Sequence, residues 1–334
     1  MKIFFPFAAS DIGGTSVFSR RFKAGMEARG HEVFHAYRED YDLLFMIVQA
    51  PFKYLWDARR RGKPIVQRLD GTYYWSVAGP RFPLYNLKAT LARQCFTDFT
   101  IYQSKYSRFC TNRFLGKKFS DRSALIYNGV DTELFHPEGK VAPIRDNPDQ
   151  RIFFSSSDFR RTDQIVPILE TLKLYREQYG SNFKFVVAGR FRGEAVGIPK
   201  IYQDFHQVVF LGTIPNTDLP LYERAADTYV ITHLNPPCPN NVIEALACGL
   251  PICGIRDGAM SELVRDGETG ILLDTQGQAF WRHRKLDLPT FAANLYHLAH
   301  NKTRYTKECR AEALSRFQLN TMLEKYESIL KSLV

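Results

Sequence analysis

This chain of 334 residues contains no run of the ~20 consecutive apolar residues that a bilayer-spanning helix needs. That excludes a helical membrane protein. Its six cysteines (Cys95, Cys110, Cys238, Cys248, Cys253 and Cys309) form no C-x-x-C pair. That argues against a zinc site and a disulfide framework, and fits thiols in a reducing compartment. His233 and Cys238 have no third partner, so they make no metal site either. There is no low-complexity tract and no short-period repeat. The opening Met1–Phe7 run lacks a long apolar region and a small-residue cleavage site, so it reads as a first strand and not as a signal peptide. These absences point to a cytoplasmic protein, at most peripheral to a membrane.

What is present fits two globular domains of ~150 residues each. Charge is uneven. Residues 1–148 carry 23 Lys+Arg against 14 Asp+Glu, a net of +9, and the remainder carry 22 against 21, a net of +1. A polybasic half attracts anionic lipid, nucleic acid or anionic substrates. The run Arg59-Arg60-Arg61-Gly62-Lys63 reads as its densest patch. No RNA- or DNA-binding motif accompanies it, so no nucleic acid is expected.

Short apolar runs alternate with helical patterns, which predicts parallel sheets with crossover helices. Predicted strands in the first half are Lys2–Ala8, His31–Ala36, Leu43–Val48, Pro64–Leu69, Phe99–Gln103 and Ala124–Tyr127. A helix with Val17, Phe18, Phe22 and Met26 on one face starts after Gly13-Gly14 and stops at Gly30. Glu138–Gln150 reads as a linker. Beyond it come strand Arg151–Ser155, a helix around Asp163–Tyr179, and strands Phe183–Ala188 and Val208–Gly212. Helix Leu219–Ala226, strand Thr228–Thr232, helix Asn241–Cys248 and strands Pro251–Ile255 and Thr269–Leu273 follow. Two more helices are predicted to close the chain.

Three stretches can carry chemistry. Ile12-Gly13-Gly14-Thr15-Ser16 places glycines before a helix N-terminus, which suits a phosphate or sugar hydroxyls. It is not G-x-G-x-x-G, and no acidic ribose partner ends the second strand, so a dinucleotide fingerprint is absent. Read alone, it is equally a tight strand-to-helix turn. Asn128-Gly129-Val130-Asp131 follows a strand and reads as a turn. Pro236-Pro237-Cys238-Pro239-Asn240-Asn241 then precedes a short helix holding Glu244. Amides and asparagine side chains at that helix start, beside a carboxylate, can hold a diphosphate and ribose hydroxyls together. A capping box between Asn241 and Glu244 explains the same residues structurally.

Taken in order, the Gly-Gly turn, Asn128-Gly129-Val130-Asp131 with Phe135 and Pro137, Glu244-Ala245-Leu246-Ala247-Cys248-Gly249-Leu250-Pro251 and Asp257–Gly270 resemble the retaining family-4 glycosyltransferases. The resemblance implies a GT-B α/β fold: two Rossmann-like domains facing each other across a deep cleft. Residues 1–148 would bind acceptor, 149–315 the nucleotide-sugar, and 316–334 would form a helix packing back toward the N-terminal domain. It implies that Gly13 and Gly14 face the donor diphosphate or the acceptor, that Asn128 binds the donor, and that Glu244 bonds the donor ribose. Gly212 to Ile214 would border the base. Asn240, Asn241 and the Gly258–Met260 loop would hold diphosphate or sugar. The family's basic pair after the first strand of its second domain survives as Arg160 or Arg161, with Arg161 favoured. A cation there stabilises the departing diphosphate. Where the family commonly has the first Glu of Glu-x7-Glu, this chain has Pro236. Asp70 stands near the family's acceptor-side His and is the candidate base. Tyr73, Tyr74 and Trp75 can stack on an acceptor sugar or serve as core.

The expected function is therefore transfer of a hexosyl group from a UDP- or GDP-sugar to a glycan, polysaccharide or lipid-linked acceptor, without an essential metal or other cofactor. The basic half suggests contact with an anionic membrane surface. Two other readings stay open: a non-catalytic nucleotide-sugar-binding protein, prompted by Pro236, and a nucleotide-sugar epimerase, which would turn over donor with no acceptor.

Overall fold

The computed structural model describes residues 1–7, 13–118, 122–277, 279–281 and 285–334. Ala8, the predicted end of the first strand, and Ile12, the first residue of the Gly-Gly motif, lie outside the described residues. The chain forms two compact units: Met1–Gly129 with Phe280–His283 and Leu319–Val334, and Val130–Ala279 with Arg284–Gln318. Glu138–Gln150, predicted as a linker, belongs to the second unit. There Arg145 pairs with Asp227 at 3.0 Å and Lys184 with Asp146 at 2.7 Å.

In the first unit six parallel strands lie in the order β2-β1-β3-β4-β5-β6. They are β1 (Lys2–Phe4), β2 (Glu32–Phe34), β3 (Leu43–Ile47), β4 (Ile65–Leu69), β5 (Phe99–Tyr102) and β6 (Ser123–Leu125). β3 and β4 are buried along their whole length, as expected of strands covered on both faces. The helix Gly14–Ala28 buries Phe18, Phe22 and Met26, and Phe22 stacks on Phe45 with ring centroids 4.6 Å apart. The C-terminal helix Leu319–Lys331 adds Met322, Leu323, Tyr326 and Leu330 to this core. Each such side chain contributes about 1.5–3 kcal/mol when fully buried. The two helices approach closely because position 25 is glycine. A Cβ there would sit 2.2 Å from Leu323 Cδ1.

The second unit has strands β7 (Arg151–Phe159), β8 (Phe183–Phe191), β9 (Val208–Gly212), β10 (Thr228–Ile231), β11 (Ile252–Arg256) and β12 (Gly270–Asp274). They are all parallel, in the order β12-β11-β10-β7-β8-β9. This is the doubly wound arrangement, with its order reversing between β7 and β10. β7 runs four residues past the predicted end at Ser155. The extension pairs Ser156–Phe159 with Ala188–Phe191. It is held by Phe159 stacked on Phe191 at 4.7 Å and by ion pairs described below. Three helices close the chain, Leu288–His300, Lys302–Arg316 and Leu319–Lys331, where two were predicted. The break at Asn301 carries no glycine or proline to mark it. Among the described residues no helix is long and apolar enough to cross a membrane.

Candidate functional site

Ligands of doubly wound sheets sit beyond the carboxyl ends of the strands, where the strand order reverses. In the second unit that place lies past β7 and β10. Chain leaving β7 enters Arg160-Arg161 and a 3-10 turn, Thr162–Gln164. Gln164 Oε1 accepts from the N–H of Arg160 at 2.7 Å and of Arg161 at 3.1 Å, which fixes the turn. Chain leaving β10 is tied to it: the Thr232 hydroxyl donates to the carbonyls of Asp163 and Gln164, both at 3.2 Å.

The two arginines differ. Arg161 is mostly covered and makes a fork to Asp163, with Nε and Nη2 each 2.8 Å from a carboxylate oxygen. Its Nη1 has no hydrogen bond among the described residues, so one donor edge of a rigidly held guanidinium is left for an anion. Arg160 is exposed and folds back on Asp158, with Nε 3.0 Å and Nη2 2.9 Å from Oδ2. Arg190 and Arg192, on and just past β8, also pair with Asp158. Burial opposes the charge on Asp158, but Arg192, Arg160 and Arg190 outweigh it and hold the carboxyl below the usual carboxylate range.

The capping box between Asn241 and Glu244 does not form. The helix spans Asn240–Ala247, follows Pro239 and has no side-chain cap. Three prolines set the chain direction, so the helix begins one residue earlier than predicted. Asn241 instead donates from Nδ2 to the Ser156 carbonyl on β7 at 2.7 Å, which anchors the helix start to the strand-order reversal. Asn240 is half-buried at the first helical position, and Glu244 is buried at 3% exposure.

Gly258 and Met260 take a supporting place. The Gly258 N–H donates to Asp257 Oδ1 at 2.7 Å, that of Ala259 to the Pro236 carbonyl at 2.8 Å, and that of Met260 to the Asp257 carbonyl at 3.2 Å. These amides are committed within the chain and so are not free to cradle a diphosphate. The loop backs the Pro236 turn so tightly that a Cβ at Gly258, whose φ is +59°, would lie 2.3 Å from Pro236 Cδ. Burial raises the Asp257 carboxyl despite N–H bonds from Gly258 and Asn235. Burial also pushes His233, just past β10, down to about 4, so its imidazole is neutral near pH 7. Gly212 ends β9 exposed, with φ +69°, and Ile214 is half-buried beyond it. Among the described residues no three His, Cys, Asp or Glu side chains group as a metal site.

Glu223 escaped the sequence reading. It lies on the helix Leu219–Ala225, has 0% exposure, and neither carboxyl oxygen has a hydrogen-bond partner among the described residues. Burial, and then the neighbouring Glu244, raise its pKa well above the ordinary value. The folded state therefore holds a proton that the unfolded chain releases. The stability this contributes is complete below the unfolded carboxyl range and is lost as pH rises toward the raised folded value, at about 1.4 kcal/mol per pH unit. Glu223→Gln should flatten that decline and leave the protein more stable near neutrality, as urea unfolding on either side of the unfolded carboxyl range can check.

In the first unit, the predicted residues Asp70 and Asn128 meet one the sequence reading missed, Arg68. This β4 arginine is 1% exposed. It pairs through Nη1 with Asp70 and donates through Nη2 to Asn128 Oδ1 at 2.7 Å and Gln103 Oε1 at 3.2 Å. Its guanidinium lies 3.7 Å from the Phe18 ring centroid. Thr15, next to Gly14, donates its hydroxyl to Asp70 Oδ2 at 2.9 Å. Gly13, with φ +116°, precedes the helix. Asp70 thus has both oxygens engaged, which makes it a linchpin of the Gly-Gly turn and a weak candidate base. The signal for Arg68 was present: an arginine amid the apolar residues of a buried strand. Tyr74 is core, packed on Phe114 and Phe280 at 5.1 and 5.0 Å, whereas Tyr73 and Trp75 are about half exposed.

A family model described as "Glycosyl transferases group 1" matches residues 140–283. Among curated proteins, a D-inositol 3-phosphate glycosyltransferase of Stackebrandtia nassauensis is 24% identical over 192 residues, 54% of this chain and 43% of that protein. The UDP-glycosyltransferase TURAN of Arabidopsis thaliana is 28% identical over 115 residues, 33% of this chain and 25% of that protein. The matches thus cover less than half the length of these relatives. Among solved structures, a sucrose-phosphate synthase from Thermosynechococcus elongatus superposes with TM-score 0.79 at 17% identity, over 99% of this chain and 98% of that one. HepE of Anabaena, in complex with UDP-glucose, superposes with TM-score 0.74 at 18% identity over the full length of both. At such identities these likenesses show a shared two-domain α/β fold.

Proposed function

We propose that this chain, whose residues 140–283 match the model of the group 1 glycosyl transferases, is a retaining glycosyltransferase. It moves a hexosyl group from a UDP- or GDP-sugar to a glycan or lipid-linked acceptor. The observation that carries this reading is Arg161: a guanidinium fixed by Asp163, with Nη1 open, where the strand order of the second sheet reverses. A diphosphate placed there meets a cation that needs no reorganisation as charge develops on it. Asn240 and Glu244, on the helix that Asn241 ties to β7, are assigned to sugar and ribose hydroxyls, and Gly212 with Ile214 to backbone contacts with a base. Gly13, Gly14, Asp70 and Asn128 are assigned to the acceptor side as structural supports.

No paired catalytic carboxylates are required. The bond from the anomeric carbon to the diphosphate oxygen breaks, the acceptor oxygen bonds that carbon on the same face, and the acceptor proton passes to the departing phosphate oxygen. The acceptor is proposed to be presented at an anionic membrane surface, on the strength of the charge of residues 1–148. Thermal-shift measurements with UDP, GDP, ADP and TDP test the donor assignment. One nucleotide at about 100 Kd should stabilise the protein by roughly 2.7 kcal/mol, and Glu244→Ala should abolish the shift. No shift with any nucleotide would turn the reading over to a protein whose donor site has lost its use.

A further inference from the structure

The first unit carries a helix whose amphipathicity is inside out. Phe82–Leu91 turns Asn86 and Ala89 into the protein and Leu84, Tyr85, Leu87 and Leu91 toward solvent. Leu84 is 65% exposed, more than any other leucine or isoleucine of this unit among the large exposed apolar side chains. The orientation is fixed. Asn86 Oδ1 accepts from the Tyr73 N–H at 2.9 Å, and its Nδ2 donates to the Tyr73 carbonyl at 3.0 Å. A buried asparagine pinned to backbone prevents the helix from rolling its leucines inward.

The apolar surface continues on both sides. Tyr73 meets Tyr85 at 5.3 Å, Phe82 meets Phe114 at 5.9 Å and Trp281 at 6.2 Å. Trp75, Phe109 and Trp281 are each about half exposed. A contiguous apolar patch of this kind marks an interaction site, not ordinary surface.

Charge says what covers it. From Gly71 to Ser120 the sequence has eight Lys and Arg and a single acidic residue, Asp98. Arg81 and Lys88 are exposed on the helix or directly before it, and Lys105, Arg108 and Arg113 are exposed on the helix that carries Phe109 and Phe114. By contrast, the Arg59–Lys63 run, predicted as the densest basic patch, is partly neutralised. Arg59 pairs with Asp98 at 2.8 Å, and Arg61 with Asp57 at 2.8 Å and Glu39 at 3.0 Å. Leucines flanked by tryptophan, tyrosine and exposed basic residues match the chemistry of an anionic bilayer interface. There apolar side chains enter the acyl boundary, aromatic rings sit at headgroup level and cations meet lipid phosphate.

We propose that Phe82–Leu91, with Trp75, Phe109 and Trp281 around it, is the face by which this protein docks on an anionic lipid surface. The inference rests on the membrane part of the function proposed above and names the surface responsible. It is independent of the donor assignment.

The test is sedimentation of the full-length protein with vesicles of phosphatidylcholine alone, or of equal parts phosphatidylcholine and phosphatidylglycerol. The same is done for the Leu84→Glu/Leu87→Glu variant and for Lys88→Glu. These side chains are exposed, so circular dichroism and Tm should match wild type. The expected result is binding to the anionic vesicles only, lowered at least about tenfold in the double leucine variant and about fivefold in Lys88→Glu. Wild-type binding that both variants retain would overturn this face while leaving a membrane role intact. No binding to either vesicle would overturn the face and the membrane role together, and leave the nucleotide thermal shift unaffected. A wild-type dimer that the leucine variant dissociates would identify the occupant as a second copy of the chain, and also overturn the proposal.

Discussion

Arg161→Ala is expected to lower kcat for glycosyl transfer by about 10²–10³-fold, the usual effect of removing one preorganised donor to developing charge. The native guanidinium is fixed before substrate arrives, because Asp163 grips Nε and Nη2. Lysine at this position keeps a charge but loses the fork, so Arg161→Lys should recover only part of the rate. Arg160→Ala provides the contrast. Arg160 is exposed and shares Asp158 with Arg190 and Arg192, so its loss should change kcat only a few-fold by the same scale. The comparison also separates chemistry from folding. Tm should fall little in either variant, since neither side chain is in the core, and steady-state kinetics should place the Arg161 effect in kcat more than in KM. Equal effects of the two substitutions would mean that the free edge of Arg161 does not meet the leaving group.

The second large effect is on stability. Arg68→Met should destabilise the protein by about 3–5 kcal/mol, because it leaves Asp70, Gln103 and Asn128 without the cation they surround. A fall in Tm on the order of 10 °C would follow for a domain of this size. Adding Asp70→Asn should restore part of the loss, since the unpaired carboxylate is then removed. A double variant no more stable than Arg68→Met would show that packing of Arg68 on Phe18, not its ion pair, carries the energy.

The sequence revealed periodicity well and polar architecture poorly. Apolar runs located all twelve strands within a few residues, because a strand buried on both faces leaves a continuous apolar signature. β7 was cut short at Ser155 because Ser156-Ser157-Asp158 looks like loop. Its pairing with β8 is supported by Phe191 and by Arg190 and Arg192, all from distant sequence. The helix Phe82–Leu91 was missed because its exposed leucines and buried asparagine reverse the pattern on which helix prediction rests. At the candidate site, Asn240, Asn241, Glu244 and Arg161 were visible as local motif. Arg68 left a signal as an arginine in an apolar strand, but its partners Gln103 and Asn128, the burial of Glu223 and the packing of Phe280 against Tyr74, Tyr106 and Phe114 were not visible, since each is set by neighbours far along the chain. The capping box fails because the helix starts at Asn240, which puts Asn241 inside its first turn, with Nδ2 tied to the Ser156 carbonyl and Oδ1 accepting from the Val242 N–H.

The most direct measurement of the central claim is a crystal structure of the protein grown with the nucleoside diphosphate that gives the thermal shift. The account predicts diphosphate density within hydrogen-bond reach of Arg161 Nη1 beyond the carboxyl end of β7, with the ribose toward Glu244. Density for the same nucleotide elsewhere, with Arg161 still bonded only to Asp163, would contradict it.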